Sequence, residues 1–134
     1  AVINRAKKQA GDTAAVVGLG GVGFSALLAA VASGARRVVA IDLSDDKLAL
    51  AKQMGATHLI NPTNFTTTEE MLEAAGGGVD YGFDMAGAVK AFEIAHNLTK
   101  KGGTTITSGL PNPKTSCALS VVQLVGEDRT LQGS

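Results

Sequence analysis

Residues 18–23 read GLGGVG, four glycines in six positions, between the apolar run TAAVV (13–17) and the alanine-rich segment FSALLAAVAS (24–33). The apolar run is short, as in a buried strand, and the segment 22–33 predicts a helix. Glycine has no side chain to accommodate, so such a stretch allows a tight bend and the close approach of another group. The feature predicts a strand, a crowded turn and a helix in direct succession.

The rest of the chain repeats this alternation of short apolar runs and helical segments. Strands that alternate with helices are typical of βαβ units and a mainly parallel sheet. The sequence therefore predicts an α/β fold, with strands at 14–19, 36–42, 58–61, 79–85, 104–110 and 129–132.

Local signals mark where the helices begin and end. Ser44 is placed to cap a helix, and Gly55 is placed to end it, because glycine accepts the left-handed conformation found after many helices. Thr67 and Glu70 have the spacing of a capping box, and the three glycines at 76–78 end the helix that this box begins.

Composition narrows the class of protein. With 134 residues and 45% hydrophobic content, the chain is long enough for one core. Twelve basic and twelve acidic residues cancel, which argues against nucleic acid or an anionic membrane as partner. No apolar run approaches the roughly 18 residues of a membrane span and no secretory signal is recognisable, so a cytoplasmic protein is expected. The single cysteine, Cys117, is interpreted as a small apolar filler.

Three of the glycines form a pattern with a chemical meaning. Gly18, Gly20 and Gly23 give G-x-G-x-x-G at a strand-to-helix turn. In that pattern the first glycine allows the bend, the second lets backbone approach a diphosphate, and the third lets helix and sheet pack closely. Unpaired N–H groups and the helix dipole favour an anion at the same place. Glycine-rich turns also serve packing alone, so the motif by itself leaves both interpretations open.

An acidic residue at the end of the second predicted strand favours the dinucleotide interpretation. Asp42 follows Gly23 by 19 residues, where a carboxylate can accept hydrogen bonds from both hydroxyls of an adenosine ribose. The same carboxylate would repel a 2′-phosphate, so NAD is favoured over NADP. Lys47 is a candidate to neutralise Asp42 or to reach the ribose. The alternatives are a solvated strand-end aspartate and a lysine on a helix surface.

Taken together, these motifs resemble a known family. The segment GDTAAVVGLGGVGFSALLAAVASGARRVVAIDLSDDKLALAKQMGATHLINP is similar to the coenzyme-binding domain of the zinc-dependent alcohol dehydrogenases, the medium-chain dehydrogenase/reductase superfamily. The likeness continues through GVDYGFDMAG, KKGGTTITSGLP and EDRTLQGS, and so covers nearly the whole chain.

The resemblance implies a Rossmann fold with a six-stranded, doubly wound parallel sheet in the order 3-2-1-4-5-6. Residues 1–12 would be a linking helix from an absent catalytic domain, and 13–134 the NAD-binding domain. The implied cofactor-binding residues fall into three groups. The diphosphate group is Gly18, Gly20, Gly21, Val22 and Gly23, with Val22 beside the nicotinamide side; the ribose pair is Asp42 and Lys47; the nicotinamide border is Ala86, Gly87, Ser108, Gly109 and Leu110.

The family's catalytic apparatus is not recognised in this sequence. The resemblance implies that hydride transfer takes place at a zinc held by cysteines and histidines outside the matching segment. No catalytic residue and no metal ligand is therefore predicted here. His58 and His96 are interpreted as structural or solvated. The chain is expected to be a piece of a larger dehydrogenase, inactive alone, with zinc only in the parent protein.

Three classes of function remain at this point. The first is the cofactor-binding part of an NAD-dependent alcohol or aldehyde oxidoreductase; alcohol, polyol, thiol-adduct and aldehyde substrates are all compatible with it. The second is a stand-alone, non-catalytic dinucleotide-sensing module. The third, a methyltransferase, is disfavoured because Val17, not an acidic residue, precedes the first glycine. The resemblance also implies a homodimer formed through a sheet edge near 115–122.

Overall fold

The computed structural model of the protein describes residues 12–107 and 130–133. Neighbouring strands pair in parallel in the order β3-β2-β1-β4-β5-β6, so the predicted α/β class with a parallel, Rossmann-like sheet is confirmed. Five of the strands lie in the continuous segment 12–107. The strands are β1 (Thr13–Val17), β2 (Arg37–Ile41), β3 (His58–Ile60), β4 (Val79–Asp84), β5 (Thr99–Thr107) and β6 (Thr130–Gly133).

Within the described residues, four α-helices cover the sheet on two sides. They are α1 (Gly21–Ala32), α2 (Asp45–Gln53), α3 (Thr68–Ala74) and α4 (Val89–Leu98), and a short 3-10 helix spans Pro62–Asn64. Buried residues of α1 and α2 pack in one core with Ala14 and Val16 of β1. Residues of α3 and α4 pack in a second core with Ala15 and Val17. Successive residues of the central strand thus face opposite helix layers, which explains why its sequence is apolar throughout.

The predicted helix boundaries are confirmed where the sequence carried a capping signal. The Ser44 side chain accepts a hydrogen bond from the backbone of Lys47, and Gly55 has a φ of 115° directly after the C-cap residue of α2. At α3, Thr67 and Glu70 form both hydrogen bonds of a capping box. These are local interactions, and local sequence is sufficient to predict them.

Most strand boundaries agree with the prediction to within one residue, and two within the described residues differ by more. β1 was predicted to include residues 18 and 19, but it ends at Val17 because Gly18, at a φ of 95°, leaves the strand conformation. β5 begins at Thr99, five residues before the predicted start. Its first part pairs irregularly with β4 and contains Gly102 at a φ of 79°, a bulged conformation that the sequence alone did not indicate.

At the amino end of the sheet, an aspartate joins three strands. Asp80 of β4 accepts hydrogen bonds from the backbone and hydroxyl of Thr13 at 2.8 and 2.9 Å, and it forms an ion pair with Lys100. Burial acts to raise the pKa of Asp80, but hydrogen bonds from Lys100 and Thr13 outweigh it and hold the pKa below its ordinary value. This end of the sheet lies opposite the candidate site.

Some predictions concern residues outside those that the structure describes. They are the linking helix up to residue 11, the site residues Ser108, Gly109 and Leu110, the cysteine Cys117, and the edge segment 115–122.

Candidate functional site

The candidate site lies where the carboxyl ends of β1 and β4 meet. These two strands are neighbours at the middle of the sheet, and the order of connection reverses between them. In open parallel sheets this switch point leaves a crevice outside the carboxyl ends of the strands, where ligands bind. The glycine turn follows β1 into this crevice.

Two glycines of the motif are required by close packing. A Cβ on Gly23 would lie 1.8 Å from the carbonyl oxygen of Gly18, so only glycine lets α1 approach the end of β1. A Cβ on Gly18 would lie 2.7 Å from the Cβ of Ala86, in the turn after β4. The packing role proposed for the third glycine is therefore confirmed, and the first glycine has a packing role as well.

The other two glycines of the turn face open space. A Cβ on Gly20 or on Gly21 would meet nothing within 4 Å among the residues that the structure describes. Gly20 is the N-cap of α1 and supplies no side-chain hydrogen bond to the first turn. The first N–H groups of α1 thus have no intrahelical partner, as at any helix start. Val22, in the same turn, is 57% exposed.

Asp42 connects the glycine turn to the end of β2. One carboxylate oxygen accepts the backbone N–H of Leu19 at 2.7 Å, and the other accepts that of Ser44 at 2.8 Å. A carboxylate offers about four acceptor positions, so two hydrogen bonds leave capacity for further donors. Asp42 is half-buried and its side of the crevice is open. The residue is therefore a structural link that can also bind hydroxyl groups.

Lys47 is exposed on α2, where its backbone N–H caps back to Ser44. Within the described part of the chain Lys47 forms no ion pair with Asp42, so it does not neutralise this carboxylate there. Its predicted contact with a ribose stays a prediction.

A cleft of about 380 Å³, here called the carboxyl-edge cleft, opens beside Asp42. Its walls are mostly apolar, and Asp42 and Lys90 are its charged residues. Lys90, Leu43 and the 3-10 segment were not predicted as site residues, because none of them belongs to a motif. The lining residues are Val17, Gly18, Ile41, Asp42, Leu43, Pro62, Thr63, Ala86, Ala88, Lys90, Ala91 and Ile94.

Asn61 fixes the wall of the cleft that the 3-10 segment forms. Its amide nitrogen donates to the carbonyl of Leu43 at 3.1 Å and to a carboxylate oxygen of Asp45 at 3.0 Å. Its amide oxygen accepts from the backbone and the hydroxyl of Thr63. This one buried side chain connects the ends of β2 and β3, and so determines the distance between two walls of the cleft.

A second aspartate, Asp84, ends β4 and was not predicted as a site residue. It is fully buried, and one of its oxygens accepts the backbone N–H groups of Ala86 and Gly87, both at 3.0 Å. The other oxygen accepts the hydroxyl of Thr107 at 3.1 Å. Ala86 and Gly87 are thus at the predicted edge of the crevice, but their N–H groups are already bonded to Asp84. A ligand would contact their carbonyl groups or the methyl group of Ala86.

Neither histidine lines the carboxyl-edge cleft. His58 begins β3, with Nδ1 2.8 Å from the hydroxyl of Thr57. His96 is buried in α4 and stacks on Phe92, with ring centroids 6.2 Å apart.

Residues 12–107 and 130–133 contain no group of three or more His, Cys, Asp or Glu side chains that could hold a metal ion. The described residues therefore do not fit a zinc ion, and the function proposed below uses no step at a metal. None of the helices within those residues is long and apolar enough to cross a membrane.

Comparison with known proteins gives one family. The family model described as zinc-binding dehydrogenase matches residues 21–134. Three solved structures illustrate the similarity. An alcohol dehydrogenase zinc-binding domain protein from Burkholderia ambifaria is 33% identical, with a TM-score of 0.90 over 99% of this chain and 36% of its own. Benzyl alcohol dehydrogenase from Acinetobacter calcoaceticus is 31% identical, with a TM-score of 0.89 over 100% of this chain and 37% of its own.

The third structure, from Sinorhizobium meliloti 1021, is described as a zinc-binding dehydrogenase bound to NADP. It is 25% identical, with a TM-score of 0.90 over 98% of this chain and 40% of its own. This chain thus spans well under half of the length of each of the three proteins.

Proposed function

The chain belongs to the zinc-binding dehydrogenase family, and we propose that it binds NAD(H) as the cofactor-binding part of an alcohol or aldehyde oxidoreductase. Family membership favours this function over a stand-alone sensing module and over a methyltransferase. The alcohol substrate named for the Acinetobacter protein supports the proposed substrate class.

The observation that carries the proposal is the open space at the glycine turn beside Asp42. A Cβ on Gly23 or Gly18 would collide with neighbouring atoms, whereas a Cβ on Gly20 or Gly21 would meet no atom of the described residues within 4 Å. A turn that served packing alone would not need glycine at positions where a Cβ meets nothing. This open space lies at the start of a 12-residue helix, where N–H groups and the helix dipole attract a diphosphate.

Each part of the crevice has a role in the proposal. The N–H groups at the start of α1 bind the diphosphate, and Asp42 accepts the ribose hydroxyls with the acceptor positions that Leu19 and Ser44 leave. The apolar walls of the carboxyl-edge cleft exclude water from the adenosine half. Ala86 and Gly87, with the predicted residues Ser108, Gly109 and Leu110, border the nicotinamide half. When bound, NAD supplies the ring that accepts a hydride from an alcohol carbon as the hydroxyl loses its proton.

The choice of NAD over NADP is part of the same proposal. The Sinorhizobium structure is bound to NADP, so both cofactors occur among proteins of this fold. In this chain Asp42 accepts backbone hydrogen bonds on both oxygens and has no ion pair within the described residues. An unneutralised carboxylate repels a 2′-phosphate but accepts a 2′-hydroxyl, and this supports NAD.

Calorimetric titration of the 134-residue chain with NADH, NADPH and S-adenosylmethionine tests the proposal. We expect NADH to bind more tightly than NADPH, and no heat from S-adenosylmethionine. Gly20→Val should weaken both dinucleotides by about 10-fold or more, because its branched side chain occupies the space in front of α1. If the folded wild-type chain bound neither dinucleotide, the proposed function would be wrong.

We also propose that this chain forms a homodimer through the sheet edge near 115–122. Sedimentation at tens of micromolar tests this part separately, since a monomeric mass contradicts the dimer and leaves cofactor binding untouched.

A further inference from the structure

A fully buried carboxylate at the end of a central strand has an unfavourable desolvation free energy. Burial removes Asp84 from water, and no lysine or arginine within the described residues forms an ion pair with it. Its chain neighbours Phe83 and Met85 are buried and apolar, so an apolar residue would suit the surroundings. The three hydrogen-bonding partners of Asp84 within the described residues are all donors, which a carboxylate satisfies as an acceptor.

The three donors belong to two separate segments at the carboxyl edge of the sheet. Ala86 and Gly87 form the turn after β4, where Gly87 has a φ of 73°, and Thr107 is the last residue of β5. Asp84 therefore fixes the turn relative to both strands. Without it, two backbone N–H groups beside the crevice would lose their partner.

The position of this turn sets the shape of the carboxyl-edge cleft. Ala86 lines the cleft, and the Cα of Gly18 faces it so closely that an added Cβ would lie 2.7 Å from that of Ala86. Gly18 in turn contacts Gly23 at the start of α1. A small displacement of Ala86 thus changes the space at the glycine turn itself.

We propose that Asp84 is a positioning residue for the dinucleotide, which holds the Ala86–Gly87 turn against Gly18 so that the cleft fits the cofactor. The proposal rests on the proposed function, and it assigns to Asp84 a role by geometry, not by charge. Its carboxylate acts on the cofactor only through the backbone that it holds.

Two substitutions at the same position separate geometry from charge. Asp84→Asn retains an oxygen that can accept both N–H groups, and its NH₂ group can donate to the Thr107 hydroxyl. We expect its Kd for NADH to stay within about 3-fold of wild type. Asp84→Ala leaves both N–H groups without an acceptor, and the Kd should rise at least about 10-fold.

Amide hydrogen exchange, measured without cofactor, follows the turn directly. The amides of Ala86 and Gly87 should be protected in the wild type and in Asp84→Asn, and should exchange at least about 10-fold faster in Asp84→Ala. If the wild type bound no NADH, the proposed function would fail, and these exchange rates would still show whether Asp84 holds the turn.

Asp80→Ala is the matched control, because Asp80 lies on the same strand and accepts hydrogen bonds from Thr13 at the opposite edge. It should lower stability without changing the Kd for NADH. Equal weakening by Asp80→Ala and Asp84→Ala would overturn the proposal, as would a folded Asp84→Ala that binds NADH like the wild type. A loss in Asp84→Asn as large as in Asp84→Ala would also overturn it.

Thr107→Val decides the question if circular dichroism shows that Asp84→Ala does not fold. This substitution keeps the shape of the side chain and removes only the hydroxyl that orients the Asp84 carboxylate. NADH binding should weaken by about 3-fold. An unchanged Kd in this variant would overturn the proposal.

Discussion

An aspartate stands at the carboxyl end of each of the two strands that flank β1, and the two aspartates have different roles. Asp42, after β2, is half-buried, accepts one backbone N–H on each oxygen, and lines the carboxyl-edge cleft. Asp84, at the end of β4, is fully buried, accepts three hydrogen bonds, and does not line the cleft. The same side chain at the carboxyl ends of the two strands that flank β1 can therefore offer acceptors to a ligand or use them within the fold.

The contacts of Asp42 and those of Asp84 meet at the glycine turn. Leu19 donates to Asp42, and Gly18 packs against Ala86, whose N–H is held by Asp84. Each aspartate thus fixes one side of the same turn. Substitutions in the turn should disturb the contacts of both aspartates, whereas substitution of one aspartate should disturb only its own contacts.

The largest effect is expected for Gly23→Ala. Alanine stabilises a helix interior relative to glycine by about 1 kcal/mol, but here its Cβ would lie 1.8 Å from the Gly18 carbonyl oxygen. Because backbone cannot yield cheaply, we expect a loss of about 3 kcal/mol or more in the free energy of unfolding. Gly21→Ala is the control: its Cβ meets nothing within 4 Å, and urea unfolding should show unchanged or slightly higher stability.

The second largest effect is the difference between Asp84→Ala and Asp42→Ala in the free energy of unfolding that each substitution removes. Asp84→Ala removes a fully buried acceptor of three hydrogen bonds, two from the turn and one from the buried Thr107 hydroxyl, and we expect a loss of about 3 kcal/mol in the free energy of unfolding. Asp42→Ala removes a half-buried acceptor of two hydrogen bonds, so a loss of about 1 kcal/mol is expected. Urea unfolding of both variants without cofactor measures this difference. Equal losses would contradict the distinction between a structural and a ligand-accessible aspartate.

Substitution of Asp42 should change the preference for NADH over NADPH. Removing its carboxylate removes charge-assisted hydrogen bonds to a ribose, so Asp42→Ala should lose about 1.5–3 kcal/mol in NADH binding. The repulsion of a 2′-phosphate disappears as well, so NADPH should bind better than before. Titrating Asp42→Ala with both cofactors checks this, and an unchanged NADH/NADPH ratio would show that Asp42 does not select the cofactor.

This contrast also shows what the sequence could predict. Asp42 was identified because it stands at a fixed spacing from a glycine motif and at the end of an apolar run, and both signals are local. The capping residues Ser44, Thr67 and Glu70 were predicted for the same reason. Local rules describe interactions between residues close in the chain.

Asp84 and Asn61 were missed because their partners are set by the tertiary fold. Asp84 bonds to Thr107, 23 residues away, and Asn61 bonds to Leu43, 18 residues away. A polar residue within GFDMAG was the available signal, since a buried carboxylate needs donors, but the sequence does not say where those donors come from. Lys90 and the other cleft residues are likewise brought together only by the order of the strands.

A third aspartate gives the smallest predicted effect and tests the amino end of the same strand. Burial acts to raise the pKa of Asp80, but hydrogen bonds from Lys100 and Thr13 hold it below the ordinary value of 3.8. A carboxyl group with a lower pKa in the folded state stabilises the fold above its unfolded pKa, and this contribution is lost as the pH falls through the folded pKa. Wild type should therefore exceed Asp80→Asn in unfolding free energy by about 1 kcal/mol at pH 7, and the difference should shrink below about pH 4. Thermal unfolding of both proteins from pH 7 to pH 3 measures this, and a difference that stayed constant over that range would show that ionised Asp80 does not stabilise the fold.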